Sequence, residues 1–340
     1  MRNLKKDKLK ILSGISFLMI HGLMNTASAE HVHARPDSHA PIGVMGDHVM
    51  GEDEIMLSYR YMKMEMEGNR TGTDSVPTPL PGYMVSPLSM DMAMHMFGVM
   101  YAPSERLTLS LMVPVLAFSM DHRINMSSAE FTTESDGLGD TTLAGVYQLT
   151  KSDNSNLLFN LALNLPTGSI DEKDVIPVSM GVPVQLPYSM QLGSGTYDIT
   201  PGLTYTSLYS HWSWGAQGLY TIRTGENDNG YTLGNKLNLS AWAARQLNHS
   251  FSLSARLNAL DWENIDGADK KLAAMPTVPT KNPDLRGGTR IDALIGINYV
   301  AHGLNDLRLA FEVGAPVYQD LDGPQLETDL VFTLGTQYTF

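Results

Sequence analysis

"LVFTLGTQYTF", Leu330 to Phe340, closes the chain and poses the fold question. Counting back from the end, Phe340, Tyr338, Thr336, Leu334, Phe332 and Leu330 share one face, and Thr339, Gln337, Gly335 and Thr333 share the other. A period of two belongs to a strand, because successive side chains point to opposite sides of the backbone. One side is apolar and aromatic; the other is polar or small.

The same alternation recurs upstream. "LTLSLMVPV" (107–115) sets Leu107, Leu109, Leu111, Val113 and Val115 against Thr108, Ser110, Met112 and Pro114. "LLFNLALNL" (157–165), "FSLSARLNAL" (251–260), "IDALIGINYV" (291–300) and "LRLAFEVGA" (307–315) repeat it. Alternation alone also suits a soluble sandwich. The connections decide between the two. Short ones, such as "APSER" (102–106), "YSH" (209–211) and "AHGLND" (301–306), alternate with long ones at 67–85, 118–136, 166–187, 261–287 and 317–325. Short turns at one end and long loops at the other mark an up-and-down transmembrane barrel. About twelve strands are expected, an even number as single-chain barrels require. They begin near Ile55, Leu88, Leu107, Gly139, Leu157, Tyr188, Trp212, Tyr231, Phe251, Thr289, Leu307 and Leu326. The expected fold class is therefore all-β, an up-and-down antiparallel transmembrane β-barrel of about 12 strands. The final strand ending in Phe340 also resembles the C-terminal signal of bacterial outer-membrane barrels, which the barrel-assembly machinery would read.

The N-terminus has the form of a secretory signal. Arg2, Lys5, Lys6, Lys8 and Lys10 precede an apolar core at 11–24 and the small-residue site Ala27–Ala29. Residues 1–29 are expected to be a signal peptide, 30–53 a periplasmic segment bearing His and Met, and 54–340 the barrel. The chain carries a net charge of -13. Removing five basic residues and one acidic one would leave -17. So acidic a chain excludes nucleic acid and attracts cations. Without cysteine, no disulfide or thiolate metal site is possible. Neither a nucleophile elbow nor a metalloprotease motif is present, and no enzyme activity is expected.

Several further stretches carry a resemblance: "DGLGDTTLAGVYQL" (136–149), "LALNLPTGS" (161–169), "GTYDITPGLTYT" (195–206), "WSWGAQGLYTIR" (212–223) and "NGYTLGN" (229–235). Over about 136–340 the chain resembles the outer-membrane barrel family named after a meta-cleavage pathway of phenol degradation. The resemblance implies a barrel in the bacterial outer membrane and a route for small hydrophobic or aromatic molecules. It implies no catalytic residues. The partners it suggests are outer-membrane lipid and a small solute.

One feature lies outside that resemblance. Fifteen of the 21 methionines fall between Met45 and Met126. In "EIMLSYRYMKMEM" (54–66) the methionines share a face with Arg60, which would cost about 2–4 kcal/mol at mid-depth in lipid. That face is expected to be the lumen. "MDMAMHMFGVM" (90–100) continues the pattern, and Met112 follows on the next strand. Thioether sulfur is a soft ligand suited to Cu(I) or Ag(I). The candidate metal residues are Met62, Met64, Met66, Met90, Met92, Met94, Met96, Met100 and Met112. His95 lies nearby, and His31 and His33 in "EHVH" add a weak Cu(II) or Zn(II) site. No other cofactor is expected beyond copper. The reading favoured is soft-metal binding or passage; the alternatives are a slide for hydrophobic solutes and plain gap-filling by methionine. The acidic stretch "DWENIDGADKK" (261–271) has oxygen ligands for Ca²⁺ but not the spacing of a calcium loop.

Overall fold

The computed structural model describes residues 35–272 and 277–340. The expected signal peptide, with His31 and His33, lies outside the described residues. No described helix is long and apolar enough to cross a membrane.

Twelve extended elements form the wall: β1 (Ile55–Gly72), β2 (Val85–Ser104), β3 (Leu107–Ile124), β4 (Glu130–Leu138), β5 (Thr141–Lys151), β6 (Ser155–Leu165), β7 (Tyr197–Leu208), β8 (Trp212–Thr224), β9 (Lys236–Gln246), β10 (Phe251–Trp262), β11 (Gly288–Ala301) and β12 (Leu307–Thr339). All pairings are antiparallel, as short turns between neighbours allow. β4 and β5 act as one crossing. Both lie along β3, the first opposite Val115 to Arg123 and the second opposite Leu107 to Met112. The break falls where Pro114 offers its carbonyl to Gly139 across 3.0 Å. β12 makes two crossings. Leu321 meets Gly288 on β11 and Gly72 on β1, whereas Leu307 meets Ala301 and Thr339 meets Met56. The 33-residue strand must therefore reverse near Leu321, which brings the wall to twelve passes. Side-chain bonds from Arg308 to Gln337 (2.6 Å) and between Gln319 and Thr328 (2.9 and 3.0 Å) tie its two halves. The ring closes with β12 on β1 and the Ile55 and Phe340 amides exchanging carbonyls at 3.0 and 2.9 Å.

The barrel agrees with the expected fold class, and three local expectations are corrected. The strand placed near Tyr188 begins at Tyr197, and the one near Tyr231 begins at Lys236. Pro183, Pro187, Gly193 and Gly195 punctuate the first run. Tyr188 and Tyr231 instead pack edge to face, 5.0 Å apart, with Ile265 and Leu272 in the loops. The stretches 118–136 and 317–325, expected to be loops, largely extend the strand ladder. The segment expected in the periplasm behaves differently again. Its described part, from residue 35, is largely buried inside the barrel.

Side chains sort by parity as the pattern requires. Leu57, Phe97, Leu109, Leu143, Leu161, Leu203, Leu239, Leu253, Leu257, Ile295, Leu309 and Leu334 are exposed on the outer face. Arg60, Asn160, Thr204, Gln217, Ser240, Arg256, Asn298, Arg308 and Glu312 are buried on the inner one. An apolar exterior around a polar interior is stable only against hydrocarbon.

Arg256 and Leu257 are chain neighbours on opposite faces, so one substitution tests the assignment. Leu257→Arg should cost about 2–4 kcal/mol of stability in lipid vesicles, although an arginine already sits one position away. Denaturant unfolding of the reconstituted barrel measures this; an unchanged midpoint would place Leu257 away from lipid.

Candidate functional site

The first described stretch, residues 35–54, enters the lumen from the short-turn end and returns to it to begin β1. Its turn is closed by the Val44 amide on the Pro41 carbonyl at 2.9 Å. Outside regular secondary structure, its backbone groups need partners. The wall provides them. Ser213 and Ser252 donate to the carbonyls of Asp37 and Pro36 at 2.6 and 2.7 Å. Arg308 reaches Ala40 O at 2.6 Å and Arg60 reaches Ile42 O at 3.1 Å. Gln217 and Asn160 hold the carbonyls of Met45 and Gly46 at 2.8 and 2.7 Å. The Met50 amide donates to Thr108 at 2.9 Å. The segment is a plug, stitched to six strands. Gly43 sits over the buried pair Arg256–Glu312, whose two contacts are both 2.8 Å, and its own amide donates to Glu312 at 3.1 Å. A Cβ there would collide with both members of that pair.

Beyond the plug the methionine wall comes into view. Strand register sets sulfur opposite sulfur: Met56 with Met100, Met62 with Met94, Met64 with Met92 and Met66 with Met90. Met90 also faces Met120 on β3. Met96 stands opposite Arg60 and Pro114, and Met112 opposite Gly98. These residues alternate with the lipid-facing Phe97 and Val99, so they share the inner face. Met100 belongs to a separate lower cluster with Met50, Met56 and Ala102.

His95 does not join them. It lies in the opposite phase of β2, bonded through Nδ1 to the Tyr59 hydroxyl at 2.8 Å and tilted against Tyr61. With only two faces to a strand, an odd position cannot share the methionine face. The acidic stretch after β10 is likewise dispersed. Asp261 accepts from Thr289 at 2.6 Å, while buried Asp269 accepts from the Lys271 amide and from Gln185.

Met64, Met66, Met90, Met92 and Met120 line a cavity of about 370 Å³. Tyr188, Leu233, Leu260, Trp262 and Ile265 add apolar surface. Arg223, Lys236, Arg286 and Arg290 also line it, with one carboxylate, Glu263, and the polar side chains of Gln319, Gln325 and Thr328. Asp198 pairs with Arg223, and Asp292 with Arg290 at 3.0 Å. Arg286 has an amide partner, Gln325, at 2.6 Å. Burial pulls Arg286 down to about 10, which leaves it charged at neutral pH. Lys236 has no ion pair among the described residues. Sequence reasoning found the sulfurs and missed these cations. They come from three strands and a loop, and inward parity at a strand's outer end was the only signal they left.

A closed sheet with a greasy exterior, a hydrogen-bonded interior and a plug rising from the short-turn end defines an outer-membrane β-barrel. The chain belongs to the family described as "Putative MetA-pathway of phenol degradation", whose sequence model matches residues 73–271. That match starts before and stops short of the region where the motifs showed the resemblance. In fold the chain is similar to the COG4313 outer membrane channel from Pseudomonas putida F1. The TM-score is 0.61 at 13% identity, over 86% of this chain and 98% of that one. A Pseudomonas aeruginosa FadL homologue also matches, with TM-score 0.40 and 12% identity over 84% and 89%. No curated protein matches by sequence.

The seat of the plug can be tested at Gly43. Gly43→Val should force the turn off the Arg256–Glu312 pair at a cost of about 1–3 kcal/mol. Amide exchange across 38–48 is then expected to speed up at least about fivefold, with exchange in the strands unchanged.

Proposed function

We propose that this barrel is an outer-membrane channel for small solutes with an apolar body and an anionic group. The observation that carries the reading is the mixed lining of the cavity. Sulfur and aromatic carbon share it with four cations and a single carboxylate, Glu263. Its volume is at the lower end of the range for small-molecule sites, suited to a single ring or a short chain. Thioethers give such a solute a soft surface that adapts without fixing one shape. Arg286 and Lys236 attract the anionic end, and polar groups aimed into an otherwise apolar pocket give orientation. The family description, with its reference to phenol degradation, and the fold shared with a known outer membrane channel support passage of small hydrophobic compounds.

A second reading keeps the sulfurs as ligands for Cu(I) or Ag(I). The directly opposed pairs Met64–Met92, Met66–Met90 and Met90–Met120 favour it. The electrostatics weigh against it. At an effective dielectric of about 20, two like unit charges about 8 Å apart repel by about 2 kcal/mol. A monovalent metal ion in this cavity would share it with Arg286 and Lys236, which have no ion pair among the described residues, against one lining carboxylate, Glu263.

Binding measurements on the purified barrel separate the two readings. Under the first, benzoate should bind at least about tenfold more tightly than benzyl alcohol. Arg286→Gln with Lys236→Gln should reduce that preference to within about twofold. Equal binding of the neutral and anionic compounds, or stoichiometric Ag(I) uptake lost when Met64, Met66, Met90 and Met92 become Leu, would reverse the order of the readings.

A further inference from the structure

The plug contains a constellation that neither the methionine wall nor the cationic cavity uses. The turn at Pro41–Val44 sends the chain back on itself, so His39 on the inward arm meets Asp47 and His48 on the returning arm. The Ala40 amide donates to Asp47 Oδ2 at 2.8 Å and holds the two arms together. His48 Nδ1 lies 2.8 Å from Asp47 Oδ1, and His39 Nδ1 lies 3.9 Å from Oδ2. The two imidazoles meet edge to face with centroids 4.5 Å apart. One donor atom from each of the three residues lies within 4.8 Å of the other two, and His39 and Asp47 are buried.

Two imidazoles and one carboxylate are the donor set of a borderline divalent ion. Zn²⁺ takes such ligands at about 2.0–2.2 Å, and Ni²⁺ and Cu²⁺ accept the same donors. The set is too poor in oxygen for Ca²⁺, which needs six to eight. It also lacks the thioethers that suit Cu(I). Arg308 from β12 and Arg60 from β1 are anchored on the neighbouring plug carbonyls of Ala40 and Ile42, and their charge lowers the affinity for a cation without removing the three donors. Metal binding takes the carboxylate ionised and both imidazoles neutral.

We propose that His39, Asp47 and His48 form a binding site for a divalent transition-metal ion, and that the ion staples the two arms of the plug together. The site is separate from the thioether wall in ligand chemistry and in its place in the barrel. It stands whether or not the cavity passes an anionic solute. Metal binding to a folded segment that the loose segment cannot bind equally well stabilises the folded one, so occupancy sets how firmly the lumen is closed.

The test is Zn²⁺ titration by calorimetry of the full-length barrel in detergent, with Cu²⁺ electron paramagnetic resonance as the ligand probe. One equivalent should bind, and the Cu²⁺ spectrum should carry hyperfine structure from two nitrogens. His39→Gln and Asp47→Asn should each weaken binding at least tenfold. The retained gel mobility of the folded barrel shows that these variants still assemble. His31→Gln with His33→Gln should leave the site intact. Saturating Zn²⁺ should also slow amide exchange across 38–48 at least tenfold in the parent and not in Asp47→Asn. Binding that follows His31 and His33, or that survives Asp47→Asn, overturns the site. Binding without slowed exchange overturns the staple.

Discussion

Everything in this molecule follows from the closure of its sheet. In hydrocarbon no water reaches an unpaired backbone amide, and each would cost several kcal/mol. The last strand therefore comes round to the first, with Ile55 and Phe340 exchanging both of their backbone bonds. Once the ring is closed, every residue in it must face either lipid or lumen, and alternation becomes compulsory. Leu257 faces out and Arg256 faces in for that reason and no other.

Closure also creates an interior too wide to be filled by small polar side chains. A plug needs partners for its irregular backbone, and the wall meets it with arginines, amides and hydroxyls at the required heights. Arg308 shows the economy of the design. It bonds Asn298 on β11, Gln337 on the far half of β12 and the Ala40 carbonyl of the plug, all within 2.7 Å. Truncating such a group would leave several buried acceptors unsatisfied at once, at about 1–3 kcal/mol for each. Fixing the wall and seating the plug are thus one network, and plug movement requires exchanging those bonds for water.

The methionine wall lies beyond that network. Thioethers make no strong hydrogen bonds and hold no fixed shape, so they suit a surface over which different bodies pass. The neighbouring cations supply what sulfur lacks, a fixed charge that orients. Arg290 joins the two kinds of surface, donating to the Met64 sulfur at 3.2 Å and to Thr328 at 2.6 Å. Wall and charge thus form one continuous surface.

The barrel, its strand parity and the inward direction of the sulfurs were legible in the primary structure. Period two is a local property of consecutive residues, and one buried arginine, Arg60, was enough to tell lumen from lipid. His95 lies close to the sulfurs along the chain, but its parity places it on the other face. The reversal of β12 at Leu321, the seating of residues 35–54 in the lumen and the meeting of Arg223, Lys236, Arg286 and Arg290 could not be read in advance. Each depends on residues distant in sequence but brought together around a ring. What the chain alone determined was which way each side chain points; which side chains meet was decided only when the sheet closed, because closure is what makes the first and last strands neighbours.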